Sequence, residues 1–562
     1  SAYLSDSVDI TISGGTTYYV SNTDGNDSNN GTSPSTPWKT ISKVNTTSLS
    51  PGDSVLFKRG DTFYGTIIPH NSGTSGNPIT YSSYGSGEKP IITGFTTLSN
   101  WTDEGNGIYS SSITSEAQTN MVTVNGTQVA MGRYPNAGTN LTYESHSGTT
   151  SITDNQMTGS PNWTGAELVI NKEDWVLDRT LITNHNGTTL TYTNLGSTDE
   201  PQNNRYYFIQ NDLRTLDATN EWYHNTSTGK FYIYGNPSGK TVKVATLNYL
   251  FNFNTQSYIT VDGLHFIGSI NSSVYIPYGG SHRYFKNSMV DYSGRKGVYF
   301  DGTSYDTFNN NIISNCNEAG FFGYSNNNNI TITNNIINNI GLIIGQALFG
   351  TQSVGVYTYG LANALIQYNS ISNIAYNGIY FIGSNVQIKN NFINYPMQLL
   401  DDGGGIYTNG SLIGRVIDGN IILNSGVGGY DNNLCAGIYN DSGGDNLIVT
   451  NNTIANSTAE GIKNNLGSDN TYSGNTLYNN KYGLYLAEWY SSYGSVTGLS
   501  IMDNIVVAKD NTQKTLYLYF DYDNTTGLGT ADYNYYARPI SDSSSIYTYQ
   551  PNTGYVTRTL AS

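Results

Sequence analysis

Gly378-Ile379-Tyr380, followed by Val386-Gln387-Ile388-Lys389-Asn390-Asn391-Phe392-Ile393, is one instance of a two-part phrase that returns through the second half of the chain. The first part recurs at Gly297-Val298-Tyr299, Gly355-Val356-Tyr357, Gly405-Ile406-Tyr407, Gly437-Ile438-Tyr439 and Gly483-Leu484-Tyr485, with variants at Gly320-Phe321-Phe322 and Gly461-Ile462-Lys463. The second part centres on Asn287, Asn311, Asn335, Asn369, Asn391, Asn420, Asn452, Asn475 and Asn504, spaced 24, 24, 34, 22, 29, 32, 23 and 29 residues apart. Such a unit is too short for a helix pair and alternates with period two, so it fits two or three short strands stacked on the next unit. The pattern predicts an all-β, right-handed parallel β-helix. The longer intervals predict coils that carry loop insertions, which tend to gather on the working face.

Composition agrees with a solenoid. Charged residues make up 12 %, against 62 Gly and 48 Tyr in 562 residues. Asparagine at equivalent turns tolerates left-handed backbone angles, and its amide can bond the next coil, so the Asn series is expected to be structural. A net charge of −16 argues against a nucleic-acid partner, whose phosphates demand basic surface. No apolar run is long enough to span a bilayer. The opening Ser1-Ala2-Tyr3-Leu4-Ser5-Asp6 has no signal-peptide pattern, as expected of a mature or trimmed chain. Cys316 and Cys435 fall about four coils apart, near 19 Å, which is too far for a disulfide. A secreted or cell-surface monomer is expected.

Four segments follow. Residues 1–100 read as an N-terminal cap and first coils, with a strand at Tyr18-Tyr19-Val20, a tight turn run from Asp24 to Gly31 and a capping helix over Trp38–Val44. The oxygens of the Asp24–Gly31 run suit either a structural calcium or a plain turn. Between 101 and 245 the rhythm stops, and longer alternating strands with the Asn125-Gly126 turn signal predict an inserted antiparallel β domain. Residues 246–510 carry the main β-helix, and 511–562 a last coil or cover.

Several further segments, among them Pro51-Gly52-Asp53, Arg133-Tyr134-Pro135-Asn136, Glu221-Trp222-Tyr223 and Asp401-Asp402-Gly403-Gly404-Gly405-Ile406-Tyr407-Thr408, give the chain a resemblance to known proteins. It resembles secreted β-helix carbohydrate-active enzymes of bacteria, above all glycoside hydrolases with a β domain inserted in the solenoid, such as family 141 and the endo-fucanases. The resemblance implies hydrolysis of a fucose-rich, sulfated or xylan-type polysaccharide, and no organic cofactor. The scaffold also serves lyases and epimerases, so it speaks for fold more than for reaction.

Titratable groups are sparse in the coils, which narrows the chemistry. No histidine follows His282, so Ser-His-Asp and Cys-His catalysts are excluded from 290 to 510. Asp401 and Asp402, adjacent and followed by three glycines that could let a sugar approach, are the first candidates for a general acid or base. Asp441, after the strand of the next coil, is the first-choice partner. Glu318 and Glu460 are further candidates on the edge that bears Asp402. With period-two alternation the middle residue of Gly-Ile-Tyr points inward and Tyr outward, so Tyr357, Tyr380, Tyr407 and Tyr439 are candidate sugar platforms. Lys463, in the tyrosine position of its coil, is expected to meet a polar or anionic group. The rivals are a lyase using a Lys or Tyr base, with calcium or a cation neutralising a uronate, and a non-catalytic carbohydrate-binding solenoid.

Overall fold

The computed structural model describes residues 14–194, 196–429, 433–488, 496–520, 527–539, 541 and 545–559. Two parallel sheets run its length, one of 26 strands and one of 13. The larger sheet contributes two strands per coil and the smaller sheet one, so each coil turns through three faces: a parallel β-helix. Strands Val356–Gln367 and Ile379–Lys389 cross two faces without a break.

The repeat phrase owes its residues to contacts between coils. Val298, Phe321, Val356, Ile379, Ile406, Ile438, Ile462 and Leu484 pair in register and fill the interior. Their neighbours Tyr299, Phe322, Tyr357, Tyr380, Tyr407, Tyr439, Lys463 and Tyr485 form the matching outer column. The glycine before each pair is needed by the next coil. A Cβ on Gly378 would lie 2.5 Å from the carbonyl oxygen of Gly405 and 2.7 Å from Cγ2 of Ile393. Gly378→Ala should therefore overpack the core and lower stability by about 1–3 kcal/mol, read as a lower urea midpoint.

The asparagines divide the work that the sequence assigns to one residue. Ser288, Asn311, Asn335, Asn369, Asn391, Asn420, Asn452, Asn475 and Asn504 form the buried ladder, each donating its backbone N–H to the side-chain oxygen of the next Asn at 2.9–3.0 Å. The left-handed angle belongs to the preceding residue, as at Asn310, Asn334, Asn390 and Asn451. Asn287 is thus the left-handed residue of its coil, and Ser288 takes the ladder position.

At the N-terminal end the helix is shorter than expected. It spans Ile41–Thr46 behind the cap Thr40, while Trp38 lies in an extended bridge to Val20 and stacks on Tyr18. The Asp24–Gly31 run is held by protein contacts: Asp27 accepts from Lys39, Thr40 and the Thr40 hydroxyl. Cys316 and Cys435 are free and buried. Among the described residues no helix is long and apolar enough to cross a membrane.

Strand Ile79–Tyr84 pairs directly with Ile259–Asp262, and between these coils the chain builds antiparallel sheets of eight, four and four strands. Two cores, one around Tyr143, Trp163 and Tyr207 and one around Trp222 and Phe231, fill this region. It docks on the loop 341–354, the insertion that lengthens the 34-residue interval. Arg179 N–H donates to the Leu348 carbonyl, and Gln210 Nε2 to that of Gly345. Val169, Leu177 and Phe208 then pack against Val354, Tyr376, Met397, Leu400 and Cys435.

Candidate active site

Two inserted loops meet where that junction reaches the outer tyrosine column. The loop 395–402 enters strand Gly403–Asn409, and the loop 424–434, of which 430–432 lie outside the described residues, enters strand Cys435–Asp441. The two neighbouring aspartates take different jobs. Asp401 is only 2 % exposed and fastens the loops: its carboxylate accepts from Asn433 N–H (3.0 Å), Leu434 N–H (2.7 Å), Cys435 Sγ (3.2 Å) and Asp402 N–H (3.0 Å). Asp402 has φ +50°, which swings its side chain away, and its carbonyl accepts from the Tyr376 hydroxyl at 2.9 Å. The Asp402 carboxyl, 24 % exposed, meets Lys463 Nζ at 3.2 Å.

Register brings the rest together. Tyr407 pairs with Tyr439 and Tyr439 with Lys463, so Lys463 lies two coils from strand Gly403–Asn409. Its ammonium sits 4.0 Å over the Tyr439 ring. Asp441 accepts from the Tyr407 hydroxyl, Asn465 Nδ2 and Ser442 N–H, each at 2.8 Å. Glu460 opens the Lys463 strand and is 4 % exposed, with Oε2 lacking a hydrogen bond.

Asp402 pairs directly with the Lys463 ammonium, while Glu460 and Asp441 act on it through their charge. Burial pushes the Asp402 carboxyl above its ordinary value and Asp441 adds to this, outweighing Lys463. Burial also raises Glu460, against Lys463 and with help from Asp402. Burial would lower the Lys463 ammonium, but Glu460, Asp402 and Asp441 hold it above its ordinary value. The phenols of Tyr407 and Tyr439 are pushed well up by burial and by Asp441. Among the described residues no three His, Cys, Asp or Glu side chains form a group that could hold a metal ion.

Other candidates stand elsewhere or in another posture. Glu318 is fully buried three coils before strand Gly403–Asn409, clamped by Arg295 Nε at 2.8 Å and Lys296 Nζ at 3.0 Å. Burial opposes its charge, yet Lys296 and Arg295 hold its carboxyl below the ordinary value. It belongs to the junction with loop 341–354, since it also accepts from Leu348 N–H at 3.4 Å.

The tyrosines stack on one another: Phe322–Tyr357 at 4.6 Å, Tyr357–Tyr380 at 4.7 Å and Tyr380–Tyr407 at 5.1 Å, all within 13° of parallel. Their faces are taken by their neighbours, which leaves edges and hydroxyls for a ligand. This corrects the expected platform geometry. Tyr439 stands edge-on to Tyr407 and is 2 % exposed. The three glycines after Asp402 serve neighbouring protein too, since a Cβ on Gly403 would lie 2.6 Å from Asn377 Oδ1.

Sequence reading misses the contribution of the antiparallel region. Strands Glu167–Glu173 and Val176–Asn186 form a hairpin whose turn, Asp174-Trp175, touches the site. The Asp174 carbonyl accepts from Asp401 N–H at 3.0 Å, and the Asp174 charge acts on Asp402. No local signal could find this, because the two segments are more than 220 residues apart.

A family model described as right handed beta helix region matches residues 343–506. A stretch of 89 residues is 48 % identical to the lacto-N-biosidase of Bifidobacterium longum subsp. longum, covering 15 % of this chain and 6 % of that protein. Among solved structures, one described as a glycoside hydrolase superposes with a TM-score of 0.67 at 15 % identity, covering 83 % of this chain and 96 % of its own. The complex of XylC with xylose gives 0.58 at 13 % identity, covering 94 % and 86 %. The chain is thus a right-handed β-helix protein, similar in fold to a glycoside hydrolase and to XylC.

Proposed function

We propose that this protein is a secreted or cell-surface glycoside hydrolase that cuts a polysaccharide. The observation that carries the reading is the Asp402–Lys463 pair at 3.2 Å, with the Asp441 and Glu460 carboxyls acting on it, beside two loop insertions and the antiparallel region. A glycosidase needs one carboxyl to protonate the leaving oxygen and a second to act on the anomeric carbon, directly or through water. Asp402, with its raised proton affinity, is the donor. Asp441, oriented by three hydrogen bonds, is the second carboxylate. Glu460 and Lys463 set the charge around them. The matched stretch of the lacto-N-biosidase and the fold of XylC support a carbohydrate substrate.

Charge narrows the substrate. Beside Asp402, Lys463 is spent on that carboxyl and Arg205 on Asp174 at 2.7 Å, while exposed Lys481 acts on Glu460 through its charge. That favours a neutral xylan-type or fucose-rich chain over a sulfated one at the bond cleaved. It also weighs against elimination chemistry, which needs a free base: Lys463 and the tyrosines hold their protons tightly.

Digestion of a polysaccharide panel tests the reading, with product masses and ultraviolet absorbance recorded. Hydrolysis gives products that have gained water and show no new absorbance. Unsaturated products would make the protein a lyase, and no cleavage would make it a binding solenoid. The charge balance has its own check. Removing the cation as Lys463→Met should raise the proton affinity of Asp402 further. The alkaline limb of the pH–rate profile, where the acid loses its proton, should then move up by about one unit.

A further inference from the structure

The hairpin turn Asp174-Trp175 is a built feature beside the acidic cluster. Arg205 Nη2 donates to Asp174 Oδ1 at 2.7 Å and Arg205 Nη1 to Asn171 Oδ1 at 3.1 Å. Asn171 Nδ2 in turn donates to the carbonyls of Glu173 (2.7 Å) and Val176 (3.1 Å), closing the turn from inside. The Asp174 carbonyl accepts from Asp401 N–H, which ties the turn to the Asp401-Asp402 loop. Trp175, at the tip, is half-buried and, like Tyr206, Tyr357 and Tyr380, packs against the cluster containing Tyr376, Met397 and Leu400. The ladder tyrosines have lost their faces to each other, whereas Trp175 comes from outside that ladder, next in sequence to Asp174, whose carbonyl holds Asp401 and whose charge acts on Asp402.

We infer that Trp175 is a specificity-determining residue of the active site, whose indole holds a neutral sugar unit against the wall beside Asp402. The inference rests on the glycosidase reading and adds an element that lies outside the β-helix. A sugar ring offers a flat patch of C–H bonds and a rim of hydroxyls. The indole takes the patch, and the Asp174, Asp402 and Asp441 carboxylates around it accept from the rim. An anionic sugar would meet those carboxylates with Lys463 and Arg205 already paired.

The test uses the full chain and whichever neutral oligosaccharide of the panel it hydrolyses. Trp175→Ala should raise KM about tenfold or more with kcat changed less than threefold, because the contact is made equally in ground and transition states. Trp175→Phe keeps an aromatic face and should recover most of the affinity; it also guards against a collapsed loop, which the thermal midpoint would reveal. If both variants keep wild-type KM while Asp402→Asn abolishes turnover, this inference falls and the glycosidase reading stands. A Trp175→Phe variant that folds normally but is as impaired as Trp175→Ala also overturns it. If no member of the panel is hydrolysed, the two fall together.

Discussion

Asp402→Asn should lose at least about 100-fold in kcat, and Asp441→Asn at least as much, with thermal midpoints near that of the parent. Each amide keeps the shape of the carboxyl, so strand pairing around Gly403–Asn409 and Cys435–Asp441 is preserved. The two losses should differ in kind. Asp402→Asn removes the proton donor, so substrates with a good leaving group should suffer less than natural linkages. Asp441→Asn removes the group that acts on the anomeric carbon, so leaving-group quality should not help. Asp401→Asn behaves differently again. Its carboxylate accepts from Asn433, Leu434, Cys435 and Asp402, and an amide would turn a donor toward donors. It should cost stability first and activity only through the loosened loop. Near-normal turnover in both Asp402→Asn and Asp441→Asn would show the assignment to be wrong and move the search for the acid to Glu460.

Glu318→Gln should be the most damaging substitution to stability, by about 3–5 kcal/mol, while leaving the acidic cluster in place. The neutral side chain leaves Arg295 and Lys296 beside each other with no counter-charge, Lys296 deeply buried. The sign of the pH dependence follows from the lowered carboxyl. Its contribution is fully present above the unfolded carboxylate value and is lost as pH falls through the folded one. Wild-type stability should therefore drop on acidification below about pH 4.5, the ordinary range of such a group, and Glu318→Gln should flatten that part of the curve. Equal urea midpoints for the two proteins across this range would refute the prediction.

What the sequence revealed, and what it hid, divides by range. Gly-Ile-Tyr disclosed an inner and an outer residue because strand side chains alternate with period two, and the Asn spacing disclosed the coil. The clamp on Glu318 was open to the same logic, since Arg295 stands 23 residues earlier, one coil away. The posture of the tyrosine rings was not legible: alternation says that Tyr380 faces out, but stacking turns its edge, not its face, to solvent. Adjacent Asp401 and Asp402 look equivalent in sequence, and only the left-handed backbone at Asp402 separates a fastener from a carboxyl that reaches Lys463. The Asp174-Trp175 turn lay beyond any local pattern, because it reaches the site through the docking of the antiparallel region on loop 341–354.

The asparagine ladder makes chain length a variable independent of chemistry. Every rung repeats the same bond between the same two groups, so a whole coil can be gained or lost at either side of strands Gly403–Asn409 and Cys435–Asp441 without a new kind of joint. Each added coil would lengthen the outer face by about 4.8 Å and leave Asp402 where it is. In such an architecture the bond to be cut is decided within two or three coils, while the length of polymer spanned is decided by counting the others.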